Sequence, residues 1–474
     1  MNERPSAVTF WQAVGTRFLP FADAASVELP LGRLLRLALF QVSVGLAAVL
    51  LNGTLNRVLI VELDTPTWIV ALMIAIPLLV APFRALIGYR SDTHRSVLGW
   101  RRVPYIWFGT LGQFGGLAIM PFALILVTRP DTFVVGVAAA CLSFLLTGAG
   151  MHVTQTAGLA LATDIAPDDK RPRVVALLYV MLLVGMMLAA FTVGNLLAAF
   201  TATKLIQVIQ GAAALTMALN IVALWKQEAR NTGITMSTVD DPRFSAIWAS
   251  FTARPNTKRL LLAIGLGAMA FAMQDALLEP YGGQILGLSV GSTTALTGTW
   301  AIGALAAFAY SGKRLADGSD PLRLAGLGAV AGVAAFLMTL FAAPLVSVPL
   351  LFAGATVIGF GVGLFSVGTM VAAMGLSNSG NAGLALGAWG AVQASCAGLG
   401  IALGGLIRDG IAYVALTEGM GPTLADRATG YGTVFCLEIL LLLVTMVVLG
   451  PVIGRGRERV DGDAAGFGLS EFPT

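Results

Sequence analysis

The chain is predicted to be an all-α polytopic membrane protein, with twelve transmembrane helices arranged as two six-helix repeats. Three observations carry that prediction. Apolar residues make up 57% of the 474-residue chain and charged residues only 11%, against about a quarter charged in a soluble domain. Mean hydropathy is +0.83. The apolar stretches are continuous and roughly 20 residues long, the length that crosses a bilayer as a helix. A transmembrane barrel would instead show alternation over about ten residues per strand.

In chain order, a partly polar leader, residues 1–33, holds Arg4, Arg17 and Arg33 among Phe10, Trp11, Phe18 and Phe21. That mixture suits a segment resting partly on the membrane surface. No cleavable signal is visible, because the first apolar run starts only near Leu34 and is long enough to span. Spans fall near 34–57, 67–88, 103–127, 133–163, 174–199 and 204–225, forming a first bundle over residues 34–225. A polar interval, 226–258, follows. Six more fall near 259–281, 291–311, 323–343, 349–374, 383–407 and 430–453, forming a second bundle over 259–453 with a tail at 454–474. Pro77, Pro82 and Pro121 lie within spans and are expected to bend them.

With the N-terminus inside, alternation puts 22 Lys and Arg in the inner segments and 5 (Arg57, Arg129, Lys204, Arg408 and Arg427) in the outer ones. Arg36 and Arg84 sit just within helix ends. This bias places both termini in the cytoplasm. The inner loop between spans 2 and 3 is the most basic, with Arg90, Arg95, Arg101 and Arg102 around Asp92 and His94. The arginines are spread over short loops, so no basic face for nucleic acid is expected. Cys141, Cys396 and Cys436 all fall within apolar runs and read as small core residues.

Within the interval 226–258, Asp241-Pro242 is a helix-start signal. Phe244, Ile247, Trp248 and Phe251 then recur on one helical face. The segment reads as a cytoplasmic linker with an amphipathic helix, lying on the inner leaflet or docking a partner protein.

An internal repeat ties the halves together. The loop after span 2 reads Gly88-x3-Asp92 followed by Arg101 and Arg102, and that after span 8 reads GKRLADG, with Asp317, followed by Arg323. Polar pairs four apart recur in the first span of each half, Asn52 with Asn56 and Asp275 with Glu279. Two sets of six with matching loops are the mark of a transporter built from parallel repeats.

The Gly-x3-Asp loop with paired arginines resembles the signature of the major facilitator superfamily, with a few extra residues before Gly99. The inner loop DIAPDDKR from Asp164 looks like that superfamily's as well. Narrower still, LPFADAASVELPLGRLLRLALFQVSVG, LLNGTLNRVLIVEL, PFRALIGYRSDTHRSVLGWRRVPYIW and QDALLEPYGGQILGLSVG resemble the PucC/LhaA family of purple phototrophic bacteria. The resemblance implies an assembly factor for light-harvesting complexes. Such a factor would bind bacteriochlorophyll as cargo and deliver it to antenna polypeptides or the reaction-centre core complex, beside the chlorophyll-synthesis machinery. It implies the bacterial inner, intracytoplasmic photosynthetic membrane. Of the two branches the reading takes LhaA, linked to the core antenna.

Ionisable groups deep in a bilayer are costly, so each is a site candidate. In the facilitator fold the first helix of each three-helix unit lines the cavity. The candidates there are Asn52 and Asn56 on span 1, His152 and Gln155 on span 4, and Gln274, Asp275 and Glu279 on span 7. Span 10 offers Ser366 and Thr369. No metal site is expected in the protein itself. His152 is either an axial ligand for the magnesium of the pigment or a hydrogen-bonded structural residue. Asp275 and Glu279, one turn apart, either disfavour double ionisation and carry a proton or pair with Arg57 to close the outer side. On the inner side Asp92, Arg101 and Arg102 either serve the inside rule alone or form a superfamily-type latch with Asp164, with Asp317 as its counterpart. The alternative function is a proton-coupled secondary transporter of a small amphipathic solute. An enzyme, such as a bacteriochlorophyll synthase, is not expected. The carboxylates at Asp164, Asp168 and Asp169, or at Asp317 and Asp320, lie among basic residues in short loops and lack a second cluster to hold magnesium on a diphosphate.

Overall fold

The computed structural model describes residues 29–79, 100, 102–167, 170–228, 256–375, 382–417 and 425–453. Asp92, His94, Arg101, Pro82, the face formed by Phe244, Ile247, Trp248 and Phe251, and the tail all lie outside the described residues.

Among the described residues the chain forms twelve principal helices and no strand. These are α1 (Leu31–Ala48), α2 (Thr67–Leu79), α3 (Val103–Val127), α4 (Phe133–Ile165), α5 (Arg171–Leu196) and α6 (Ala202–Leu224), then α7 (Thr257–Ala272), α8 (Val290–Ala316), α9 (Pro321–Ala342), α10 (Val348–Gly375), α11 (Ala382–Thr417) and α12 (Arg427–Leu449). Among the described residues, ten helical stretches are long and apolar enough to cross a membrane. The helix α2 is described over only 13 residues. The threonines, glycines and terminal Lys313 and Arg314 of α8 leave it outside the apolar set.

Two helices depart from the simple spans expected. Span 1 runs past Arg57 to Glu62, because α1 continues through π-helical segments Val49–Leu55 and Val58–Glu62. Span 7 is broken: α7 ends at Ala272, a 3-10 turn covers Met273–Ala276, and a short helix resumes at Leu278–Gln284. Span 11 extends nearly three turns beyond its expected end, to Thr417. Pro77 and Pro121 sit inside α2 and α3 without ending them; Pro104 and Pro172 begin α3 and α5, where a missing N–H costs nothing.

The helix pairs follow one rule. α1 packs on α4, α5 and α6, α3 packs on α4 and α6, and α2 touches α4; α7 packs on α10, α11 and α12, α9 packs on α10 and α12, and α8 packs on α10. A shift of six helices turns the first set of pairs into the second. It also exchanges the two large crossings between the sets, α2 with α11 and α5 with α8.

These crossings are close because glycine removes the side chain. A Cβ on Gly291 of α8 would collide with the carbonyl of Gly194 on α5, and one on Gly405 of α11 would lie 3.1 Å from the Thr67 carbonyl of α2. In a bilayer no hydrophobic force drives helices together, so such backbone proximity is what binds them.

Candidate functional site

The irregular stretches of α1 and span 7 face one another where the two six-helix sets meet. A 3-10 or π turn frees main-chain groups from the α ladder and often marks a working site. Asn56 is fully buried; its Nδ2 donates to the Asn52 carbonyl at 3.0 Å and to the Asp275 carbonyl at 3.4 Å, while its Oδ1 has no partner. Asn52 itself is exposed. Two residues before Asn56, Thr54 of the π-helical segment Val49–Leu55 shares a hydrogen bond of 3.1 Å with Thr294 of α8.

A helix break separates Asp275 from Glu279. Asp275 lies in the 3-10 turn and accepts from Gln274 Nε2. Glu279 lies in the next helix, is 3% exposed, and accepts from Thr297 of α8, leaving its second oxygen unbonded. The intervening break changes the rotation between them. Room for the Glu279 carboxylate comes from Gly53, where a Cβ would overlap it.

Arg57 is 4% exposed. Its direct carboxylate partner is Glu62, with a further hydrogen bond of 3.1 Å to the Leu288 carbonyl. Gly283 lets it approach the backbone of the short helix that carries Glu279, since a Cβ there would sit 3.0 Å from Nε.

A second cation closes the same end from the opposite corner. Arg408 of α11 donates to Thr67 at 3.1 Å, to Asp409 at 2.6 Å and to Gln284, and its guanidinium lies 4.5 Å over the Tyr431 ring. The Tyr431 hydroxyl donates to Gln284 at 2.9 Å, and the Trp68 N–H donates to Asp409 at 2.9 Å. Residues of this cluster line a pocket of about 170 Å³ with Asp64, Tyr413 and Arg427.

Among the described residues, each side-chain hydrogen bond linking α1–α6 to α7–α12 lies at this end, on Thr54, Asn56, Arg57, Trp68 or Arg408. Deeper in the bundle, four described hydrogen bonds join residues of the same set. His152 is half-buried, and its carbonyl accepts from Thr156 at 2.8 Å. Gln155 donates to Gln41 at 3.5 Å. In the second set Gln393 donates to Ser366 at 3.2 Å, and the Trp389 indole donates to Thr369 at 3.1 Å.

At the far end, Arg102 Nε donates to Asp164 at 2.9 Å. Glu228, just past α6, accepts from the backbone N–H groups of Arg102 and Val103 at 2.9–3.1 Å, and Arg33 reaches Gln227 at 2.7–3.1 Å. An acidic side chain at a helix N-terminus satisfies donors that have no partner within the helix. Asp317 is exposed and makes no ion pair among the described residues.

Sequence reasoning missed Gly53, Glu62, Gln284, Thr297 and the Arg408 cluster. It also missed Glu438, a fully buried carboxylate on α12.

The family model described as PUCC protein matches residues 54–457. The chain belongs to the PUCC protein family. It is 51% identical over 465 residues to the "Uncharacterized protein in puhA-bchM intergenic region" of Rhodobacter capsulatus, covering 96% of this chain and 97% of that one. It is 55% identical to "Protein PucC" of Rhodovulum sulfidophilum, covering 85% and 91%. Among solved structures, a bacterial homolog of the human lysosomal transporter Spinster, inward-facing and unoccupied, matches with a TM-score of 0.65 at 13% identity, covering 88% of this chain and 95% of that one. The PUCC chain therefore has a major-facilitator-like fold and is a multi-pass membrane protein.

Proposed function

We propose that this PUCC-family protein is a non-enzymatic, facilitator-type carrier of a small amphipathic solute, coupled to protons through the carboxylates of span 7. The support is the closure of one end: Arg57 and Arg408 tie the two six-helix sets together beside the buried Glu279 and the half-buried Asp275. With the termini cytoplasmic, as the 22-to-5 charge count has it, this closed end of bundles 34–225 and 259–453, joined by the linker 226–258, lies on the side away from the cytoplasm.

The second reading narrows the cargo. Family membership favours an assembly factor of the bacterial inner, photosynthetic membrane that takes bacteriochlorophyll and hands it to antenna polypeptides of the core complex. The half-buried His152 would supply the axial imidazole, with Gln155, Asn52, Asn56 and Gln274 lining the cavity.

One preparation separates the readings. Purified gently from a pigment-making host, the protein is expected to carry a bacteriochlorophyll absorption band, and His152→Phe to reduce it at least about tenfold, the loss of one good ligand contact. An unchanged band removes His152 as the ligand; a colourless wild-type preparation removes the pigment cargo. The carrier reading is tested in proteoliposomes, where solute entry driven by a proton gradient is expected to collapse in Asp275→Asn. Flux that persists in that variant and in Glu279→Gln would sink proton coupling.

A further inference from the structure

Glu438 is the one acidic residue of α12. It lies on the buried stripe Tyr431, Val434, Phe435, Glu438, Leu442, Thr445, and neither of its oxygens has a hydrogen-bond partner. A charge buried in this way is not tolerated without compensation, yet the elements around it bring no cation to its level. From α9 the basic group is Arg323, in the first turn at the far end. From α11 it is Arg408, beside Asp409, which stacks on Tyr431. Tyr431 precedes Glu438 by two turns, about 10 Å along the axis. From α7 it is Arg259, which donates to the Val448 carbonyl, about 15 Å the other way.

The element packed against α12 that brings a titratable group of its own is the 3-10 turn Met273–Ala276, which carries Asp275. Glu438, fully buried, and Asp275, half-buried, therefore stand on two elements in direct contact. Glu279 is a separate case, held by Thr297 and Arg57.

We propose that Glu438 and Asp275 form a single proton-binding site at the break in span 7, distinct from Glu279. The proton resides as an O–H on one carboxyl and is donated to an oxygen of the other; its release leaves two facing anions that push α12 away from the 3-10 turn. The inference deepens the carrier reading by assigning the coupling proton to α7 and α12, and it rests on that reading for its role in transport. The proton site itself can be read without any transport.

The test is infrared difference spectroscopy of the full chain in lipid, titrated with acid and base in sodium-free buffer. The wild type is expected to show the carbonyl stretch of a protonated carboxyl in an apolar setting. Glu438→Gln should abolish that band, Asp275→Asn should shift it, and Glu279→Gln should leave it in place. A band unaffected by Glu438→Gln overturns the proposal, as does a band that responds to sodium at fixed pH, which would mean a metal cation at the site. Should Glu438→Gln fail to fold, Asp275→Asn decides alone, an unshifted band counting against the pair. Absent solute flux with the band behaving as expected would remove the carrier reading and keep the proton site.

Discussion

Arg57→Met is expected to lower stability by about 3 kcal/mol, the scale for stranding one member of a buried charged group. Its guanidinium is 4% exposed, and it bonds Glu62 and the Leu288 carbonyl while lying beside Glu279. The two carboxylates respond differently to its loss. The side chain of Glu62 is 35% exposed, so water takes over from the lost cation, as it does for surface pairs. Glu279 is buried, with one oxygen unbonded, and has no such recourse. Arg57→Met combined with Glu279→Gln should therefore recover more than half of the loss. Thermal unfolding of the four proteins in one detergent gives the coupling directly. Additive effects would show that Arg57 and Glu279 are not energetically coupled.

Gly359→Ala is expected to cost about 1–3 kcal/mol, the range for overpacking a fitted core, although it adds a single methyl group. α8 and α10 cross so closely that a Cβ at Gly359 would overlap the Trp300 carbonyl and lie 2.8 Å from its carbon, and a Cβ at Gly303 would overlap the Thr356 carbonyl. These obstacles are main chain and cannot turn aside as a flexible side chain would. Gly410→Ala in α11 is the control, because a Cβ there meets nothing within 4 Å; it should be neutral or slightly stabilising. Equal melting temperatures for the two variants would refute the close-crossing account.

The architecture was legible because its causes are long-range averages. Twelve apolar runs and an arginine bias survive small local errors, and the rarity of Asp275 and Glu279 in a greasy segment marked them without any geometry. The details of the site depend on how a helix departs from ideality. Arg57 and Glu62 are five apart, which on an α-helix puts them about 140° from each other; π-helical winding brings such positions onto one side, and no propensity in VLIVE announces it. The break at Met273 likewise separates two carboxylates that a regular turn would stack. Glu438 was visible as the lone acidic letter in CLEILLLLVTMVV. It stands off the cavity-lining helices 1, 4, 7 and 10 to which a facilitator-like pattern points, on α12, which packs against the break in span 7.

The glycine crossings between the two sets have a mechanical consequence. α5 meets α8 near Gly194 and Gly291, close to one end of α8, and α2 meets α11 along Thr67 to Leu79. α8 touches α5 again at Gly298, where a Cβ would lie 3.1 Å from Phe191 and 3.2 Å from Ala190, and from there to Ala316 it extends about 27 Å. With bearings in its first half, the helix is a long arm on a short fulcrum. A tilt of about 10° would carry its far end some 5 Å, by the rise of 1.5 Å per residue, while the residues at the fulcrum scarcely move. A displacement of that size at one face of the membrane, with a near-stationary seal at the other, lets a bulky flat molecule enter sideways between helices without opening a continuous water path.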